Sequence, residues 1–237
     1  MPYQAAIFDL FGTLVPPFTS GPFEQLLAET SAALGLDAAA FRRLWVYDTA
    51  DARMTGAYGS IEGDMEHIAR ALGVALTAGQ LAAAVQARLA FYRRAMVPRP
   101  DAIATLRALK GLGLRLGLIS DCSSEAPLLW PETPFAGLIE APVFSCVEGV
   151  RKPDPRLFRL ACERLGVEPR ACIYVADGFH GELATARALG MEAVLLEVPG
   201  EVTAEFAPDE APAWAGRRIR ALGELVGLAG HPFVVGA

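Results

Sequence analysis

The sequence predicts an α/β fold: a doubly wound, Rossmann-like parallel sheet with an all-helical cap domain inserted into it. Three observations carry that expectation. Short apolar runs at residues 5–8, 114–119, 173–176 and 193–196 read as strands buried on both faces. Stretches with apolar residues at helical spacing separate the later runs, and such alternation implies parallel strands. Between the first two runs, nearly eighty residues show helical spacing alone.

Taken in order, Ala5, Ala6, Ile7 and Phe8 form the first strand, which ends on Asp9-Leu10-Phe11-Gly12-Thr13. From Phe18 to Met96 apolar residues recur at helical spacing, as in Phe23, Leu26, Leu27 and Leu34, then Phe41, Leu44 and Trp45, then Ile61, Met65, Ile68 and Leu72, with glycines between the groups. That pattern predicts several antiparallel helices. Pro98 and Pro100 end them. A helix over 102–112 leads to the strand at 114–119, and Val143 and Phe144 mark a short strand. Pro155 opens a helix with Leu157, Phe158, Leu160, Ala161 and Leu165 on one face. The strand at 172–176, a helix over 183–189 and the strand at 193–196 follow. In the tail, residues 199–212 read as a loop, and Ile219, Leu222, Leu225 and Val226 are spaced for one more helix. The expected division is a core of residues 1–15 and 98–237 and a helical cap of residues 16–97.

With 237 residues and 53% hydrophobic content, the chain can bury one large core and a smaller satellite. No apolar segment is long enough to cross a bilayer and the N-terminus enters a strand directly, so a cytoplasmic location without a membrane partner is expected. A net charge of −6 without basic clusters argues against nucleic acid. Cys122, Cys146, Cys162 and Cys172 lack paired metal-ligand spacing, so neither disulfides nor zinc are expected. Of the 21 basic residues only Lys110 and Lys152 are lysines. A lysine at position 152 against that arginine background calls for a reason. A compact ammonium reaching both Asp9 and a substrate oxygen supplies one.

Four strand-end or loop segments therefore present chemistry in order: Asp9 with Gly12 and Thr13; Ser120-Asp121; Arg151-Lys152-Pro153-Asp154-Pro155; and Asp177 with Glu182. Carboxyl ends of parallel strands are where such sheets bind ligands. The order and spacing resemble the haloacid dehalogenase (HAD) superfamily over all but the last stretch of the chain. Its motifs are a nucleophilic Asp with a nearby Gly-Thr, a Ser or Thr, a Lys ahead of a Pro-Asp-Pro helix start, and a metal-binding acid pair. The helical insert matches the cap that many of these enzymes close over their site.

The resemblance implies a hydrolase acting on a small-molecule substrate through a covalent intermediate on Asp9. Ser120, Lys152 and the Gly12 amide would bind the substrate oxyanion, and Thr13 would order the loop. Asp9, the Phe11 carbonyl, Asp177 and Glu182 would form an all-oxygen Mg2+ site. Glu182 also fits a first-turn helix acid, and Asp9 alone would fit an Asx-turn acid. Phe11 departs from the pattern, because HAD phosphatases carry a second Asp there as proton donor. Haloacid dehalogenases lack that Asp as well, but they have given up the acidic metal site that Asp177 and Glu182 retain. His180 and Asp121 are candidates for the missing acid/base. Arg53 is a cap candidate for a substrate carboxylate or phosphate, with Arg42 and Arg43 as alternatives. The expected function is a Mg2+-dependent phosphatase of a small phosphorylated metabolite. The rivals are a 2-haloacid dehalogenase and a low-turnover phosphate-binding or regulatory protein.

Overall fold

A strand apolar on both faces must lie inside a sheet covered by helices on both sides, and the computed structural model places β1 (Ala5–Phe8) there. The structure describes residues 3–201 and 210–230. With β1, strands β2 (Arg115–Ser120), β3 (Ala141–Phe144), β4 (Cys172–Ala176), β5 (Glu192–Leu196) and β6 (Arg217–Ile219) form one sheet in the order β3-β2-β1-β4-β5-β6. Every neighbouring pair is parallel. The chain winds outward from β1 to β3 on one side and from β4 to β6 on the other. The winding therefore reverses between β1 and β4, where a crevice opens at the carboxyl ends.

Side chains alternate between two buried layers, as the period of two requires. Ala6, Phe8, Leu116, Leu118, Ile173 and Val175 enter one core, whereas Ala5, Ile7, Ile119, Val143, Tyr174 and Ala176 enter the other. Between Ser20 and Ala95 the chain is helical: α1 (Ser20–Leu34), α2 (Ala38–Arg43), a π-helical turn at Leu44–Asp48, α3 (Ala50–Met54), α4 (Ile61–Ala71) and α5 (Ala78–Ala95). Thr77 and Gln80 start α5 with a reciprocal capping box.

The remaining helices are α6 (Ala102–Gly111), α7 (Glu125–Leu129), α8 (Ser145–Glu148), α9 (Pro155–Leu165), α10 (Glu182–Ala188) and α11 (Glu224–Ala229). Asp154 caps α9 by accepting from Arg156 N, and Pro155 opens it, so the Pro-Asp-Pro segment does what its residue types predict. The tail corrects one expectation. Arg217–Ile219 is a sixth strand rather than part of the last helix, which begins at Glu224. Most of the expected 199–212 loop lies outside the described residues. All four cysteines are free thiols. No helix among the described residues is long and apolar enough to cross a membrane.

Candidate active site

Three adjacent strands bring the acids together. Register pairs Phe8 with Leu118 and with Val175, so Asp9, Ser120 and Asp177 all sit at the carboxyl ends of the central strands. The Asp9 amide donates to Val175 O at 2.9 Å and continues the ladder by one bond. Gly12 then turns the chain with φ +87°, and a Cβ there would lie 1.8 Å from Asp177 Oδ2. Only glycine lets the Asp177 carboxylate lie against the loop.

Lys152 enters from the loop ahead of α9 and is buried. Its Nζ donates to Asp9 Oδ1 and to Glu182 Oε2, each at 2.6 Å. Tyr174 Oη donates to the same Glu182 oxygen at 2.7 Å, and Phe179 N donates to Oε1 at 3.1 Å. Glu182, expected as a metal ligand, thus accepts from three protein donors. Among the described residues no group of three or more His, Cys, Asp or Glu side chains is arranged to hold a metal. Asp177 is different: it is buried, yet it has no cation and no other side-chain donor against it among the described residues.

Charge follows from this packing. Burial and the Glu182 carboxylate push Asp9 up to about 7 despite Lys152. Burial, Asp9 and Glu182 hold Asp177 well above the carboxylate range. Burial opposes the charge on Lys152, but Asp9 and Glu182 keep its pKa well above the ordinary value. Three buried carboxylates face one ammonium, and a further cation is the charge this donor set lacks. Two carboxylates, Asp9 and Asp177, with room for waters suit Mg2+.

A cavity of about 330 Å³ opens over these groups. Asp9, Phe11, Asp121, Lys152, Asp177 and His180 line it, and Arg151 stands beside them. Pro17, Phe18, Val46, Ala50 and Met54 of the helical segment line the opposite wall. Of the remaining expected residues, Ser120 and Thr13 are buried, with Oγ and Oγ1 without a hydrogen-bond partner. Thr13 therefore does not order the loop through its hydroxyl. The loop is held instead by Leu10 O, which accepts from Thr13 N and Val15 N, and by Arg99, a residue the sequence did not single out. Arg99 donates to Gly12 O at 2.7 Å and to Thr13 O at 2.8 Å, and pairs with Glu201.

Three further expectations change. Arg53 is buried away from the cavity, where it donates to Trp45 O and Thr49 Oγ1 with its guanidinium 3.6 Å over the Trp45 ring. It does not reach a substrate. Asp121 accepts from Lys152 N at 2.9 Å and Arg151 Nε at 3.2 Å. It thereby positions both basic residues on the cavity wall. His180 lies on the cavity wall, but burial and then Arg151 lower its pKa below 6.5. It is mostly neutral at pH 7 and suits a base rather than an acid. Phe11 packs its ring 4.7 Å from Phe18 and edge-on to Tyr92 at 6.0 Å, so it ties the loop to the helical segment.

A family model of haloacid dehalogenase-like hydrolases matches residues 3–190. A phosphoglycolate phosphatase of Rhodospirillum rubrum is 34% identical over 81% of this chain and 79% of its own length. The (S)-2-haloacid dehalogenase 4A of Burkholderia cepacia is 26% identical over 86% and 88%. Among solved structures, an HAD phosphatase from Thermococcus onnurineus superposes with a TM-score of 0.63 at 24% identity, covering 96% of this chain and 98% of that one.

Proposed function

The chain belongs to the haloacid dehalogenase-like hydrolases, and from that footing we propose that it is a Mg2+-dependent phosphatase of a small phosphorylated metabolite. In this reading residues 16–97 are the cap and residues 1–15 with 98–237 are the core. One observation carries the choice of phosphatase: the Asp177 carboxylate is buried beside Gly12 and Asp9, and among the described residues no basic side chain forms an ion pair with it. Asp9, Asp177 and the Phe11 carbonyl would hold the metal. When bound, Mg2+ would offset the charge of the carboxylates and the incoming phosphate.

Asp9 Oδ forms a bond to phosphorus while the ester P–O bond breaks, and the ester oxygen departs with its electron pair. Lys152 holds Asp9 in place and balances its charge. The unpartnered Ser120 hydroxyl supplies a donor to a phosphoryl oxygen. Water then adds to the phosphorus of the aspartyl phosphate, releasing Asp9 and inorganic phosphate, and neutral His180 accepts the proton.

The dehalogenase reading draws on Phe11, because a departing halide needs no proton. A 2-haloacid, however, needs a cation for its carboxylate, and Arg53, the cap arginine expected to provide it, lies elsewhere. Phosphate release from a panel of monoesters, and halide release from 2-haloacids, each with Mg2+ or EDTA, test the choice. Phosphate release that stops in EDTA supports it. Halide release undiminished by EDTA, with no phosphate release, replaces it with the dehalogenase.

A further inference from the structure

We propose that the cavity selects a phosphate monoester whose esterifying group is uncharged and apolar, of phenyl size or larger. The proposal deepens the phosphatase reading and rests on it for the phosphoryl end of the substrate.

Every residue that the helical segment contributes to the cavity is apolar: Pro17, Phe18, Val46, Ala50 and Met54. Phe11 and Phe179 extend that wall from the core side. The polar lining, Asp9, Asp121, Arg151, Lys152, Asp177 and His180, comes from the core. The cavity therefore meets polar groups on its core side, where phosphoryl chemistry would occur, and only apolar groups from the helical segment, against which whatever the phosphate is attached to would lie. A cavity of about 150 Å³ is enough for a benzene-sized group, and this one offers about 330 Å³ for the whole ester.

The cations argue the same way. Arg151 is paired with Asp51 of α3 and with Asp121, and Lys152 is paired with Asp9 and Glu182. Neither guanidinium nor ammonium is left over for a second anionic group on the substrate. A carboxylate, as in phosphoglycolate, would meet only phenyl and alkyl groups on that wall and would compete with Asp51 and Asp121 for Arg151. A sugar or glycerol hydroxyl turned to the apolar wall would lose its water against Pro17, Phe18, Val46, Ala50 and Met54, a loss of about tenfold or more in affinity for each hydroxyl so placed. An apolar body gains instead, by roughly fourfold for each methylene-sized group buried.

The leaving group fits the chemistry as well. Phe11 offers no proton, so the ester oxygen must leave with its electron pair unprotonated and take its proton from water afterwards. A phenolate tolerates that step better than an alkoxide does.

The test compares benzylphosphonate with phosphonoacetate by calorimetry on the full chain with Mg2+, and phenyl and 2-naphthyl phosphate with phosphoglycolate and glycerol phosphate by phosphate release. The proposal expects benzylphosphonate to bind at least tenfold tighter than phosphonoacetate, and 2-naphthyl phosphate to have the highest kcat/KM of the four esters. Ala50→Arg, which adds an unpaired cation to the apolar wall, should shift the benzylphosphonate to phosphonoacetate preference toward the latter by tenfold or more. Should that variant not fold, the native preference decides alone. Tighter phosphonoacetate binding, or fastest release from phosphoglycolate, overturns the proposal and leaves the phosphatase reading intact. Tighter benzylphosphonate binding with no phosphate release from any ester supports the apolar selectivity and removes the phosphatase reading.

Discussion

Lys152 and the two acids of the fourth segment divide labour in a way that residue type alone could not announce. Glu182 holds the lysine and Asp177 lines the cavity, so their substitutions should separate. Asp177→Asn should abolish Mg2+ binding in calorimetry and turnover with it, at little loss of stability. Glu182→Gln should retain measurable Mg2+ binding, because its oxygens already serve Lys152, Tyr174 and Phe179. It should nevertheless lose turnover and stability, since removing one partner of a buried pair costs about 3–5 kcal/mol. Equal loss of Mg2+ binding in both variants would return Glu182 to the metal site. Lys152→Arg preserves charge but widens the head group in a pocket where Nζ sits 2.6 Å from two carboxylates, and most of the turnover should go. Phe11→Asp tests the missing proton donor. General acid catalysis contributes about 10²–10⁴-fold, so the variant should narrow the rate ratio between aryl and alkyl phosphates. It also gives up the Phe11 ring contact with Phe18, and thermal stability should fall. A native enzyme indifferent to its leaving group, with no change in the variant, would mean that another residue already supplies the proton.

Elements were legible where burial dictated composition. The strands β1, β2, β4 and β5 announced themselves because both faces are covered and both must be apolar. The edge strand β6 did not: Arg217 and Arg218 are exposed, and only Ile219 turns inward. Spacing also gave no sign that α2 would pass into a π-helical turn at Leu44–Asp48. That turn places Val46 on the cavity wall and gives Arg53 its acceptor at Trp45 O. The order of the four motifs placed the acids correctly, but only the fold shows which acid meets the lysine. Arg99 was hidden by numbers, one arginine among many, in a linker read only for its prolines. Its amide donates to Leu14 O and its side chain to Gly12 O and Thr13 O, so the linker from α5 clamps the loop that follows β1. Arg99→Met keeps the aliphatic stem and removes the side-chain bonds to Gly12 O and Thr13 O together with the pair to Glu201. Stability should fall by about 1–3 kcal/mol, and kcat should fall at least tenfold with KM nearly unchanged, because a loosened loop misplaces Asp9. A stability loss with kcat intact would make the clamp purely structural.

Across the whole molecule, the helical segment is joined to the core through charges buried between them. Arg88 of α5 pairs with Glu125 of α7, which also accepts from Ser123 Oγ. The Trp45 ring lies between Arg88 and Arg53, at 3.7 Å and 3.6 Å from their guanidinium carbons. Burial would raise Glu125, but Arg88 and Ser123 hold it below the usual carboxylate value. Asp64 of α4 shares this environment with a poorer outcome. Its Oδ2 is buried without a hydrogen-bond partner, and burial raises its pKa to about 7, with Glu125 adding to the shift and Arg53 and Arg88 opposing it. The folded protein thus binds a proton at Asp64 that the unfolded chain releases near 3.8. The resulting stabilisation is complete below the unfolded value, and it is lost as pH rises to about 7 and constant above. Asparagine cannot ionise, so Asp64→Asn should match native stability near pH 4 and exceed it at pH 8. For a chain of this length each kcal/mol is worth about 2–4 °C in Tm, and the difference at pH 8 should amount to several degrees by calorimetry in EDTA. A variant less stable than the native protein by the same amount at both pH values would identify Asp64 as a required counter-ion of Arg53 and Arg88, ionised throughout, and the join between helical segment and core would then depend on two anions rather than one.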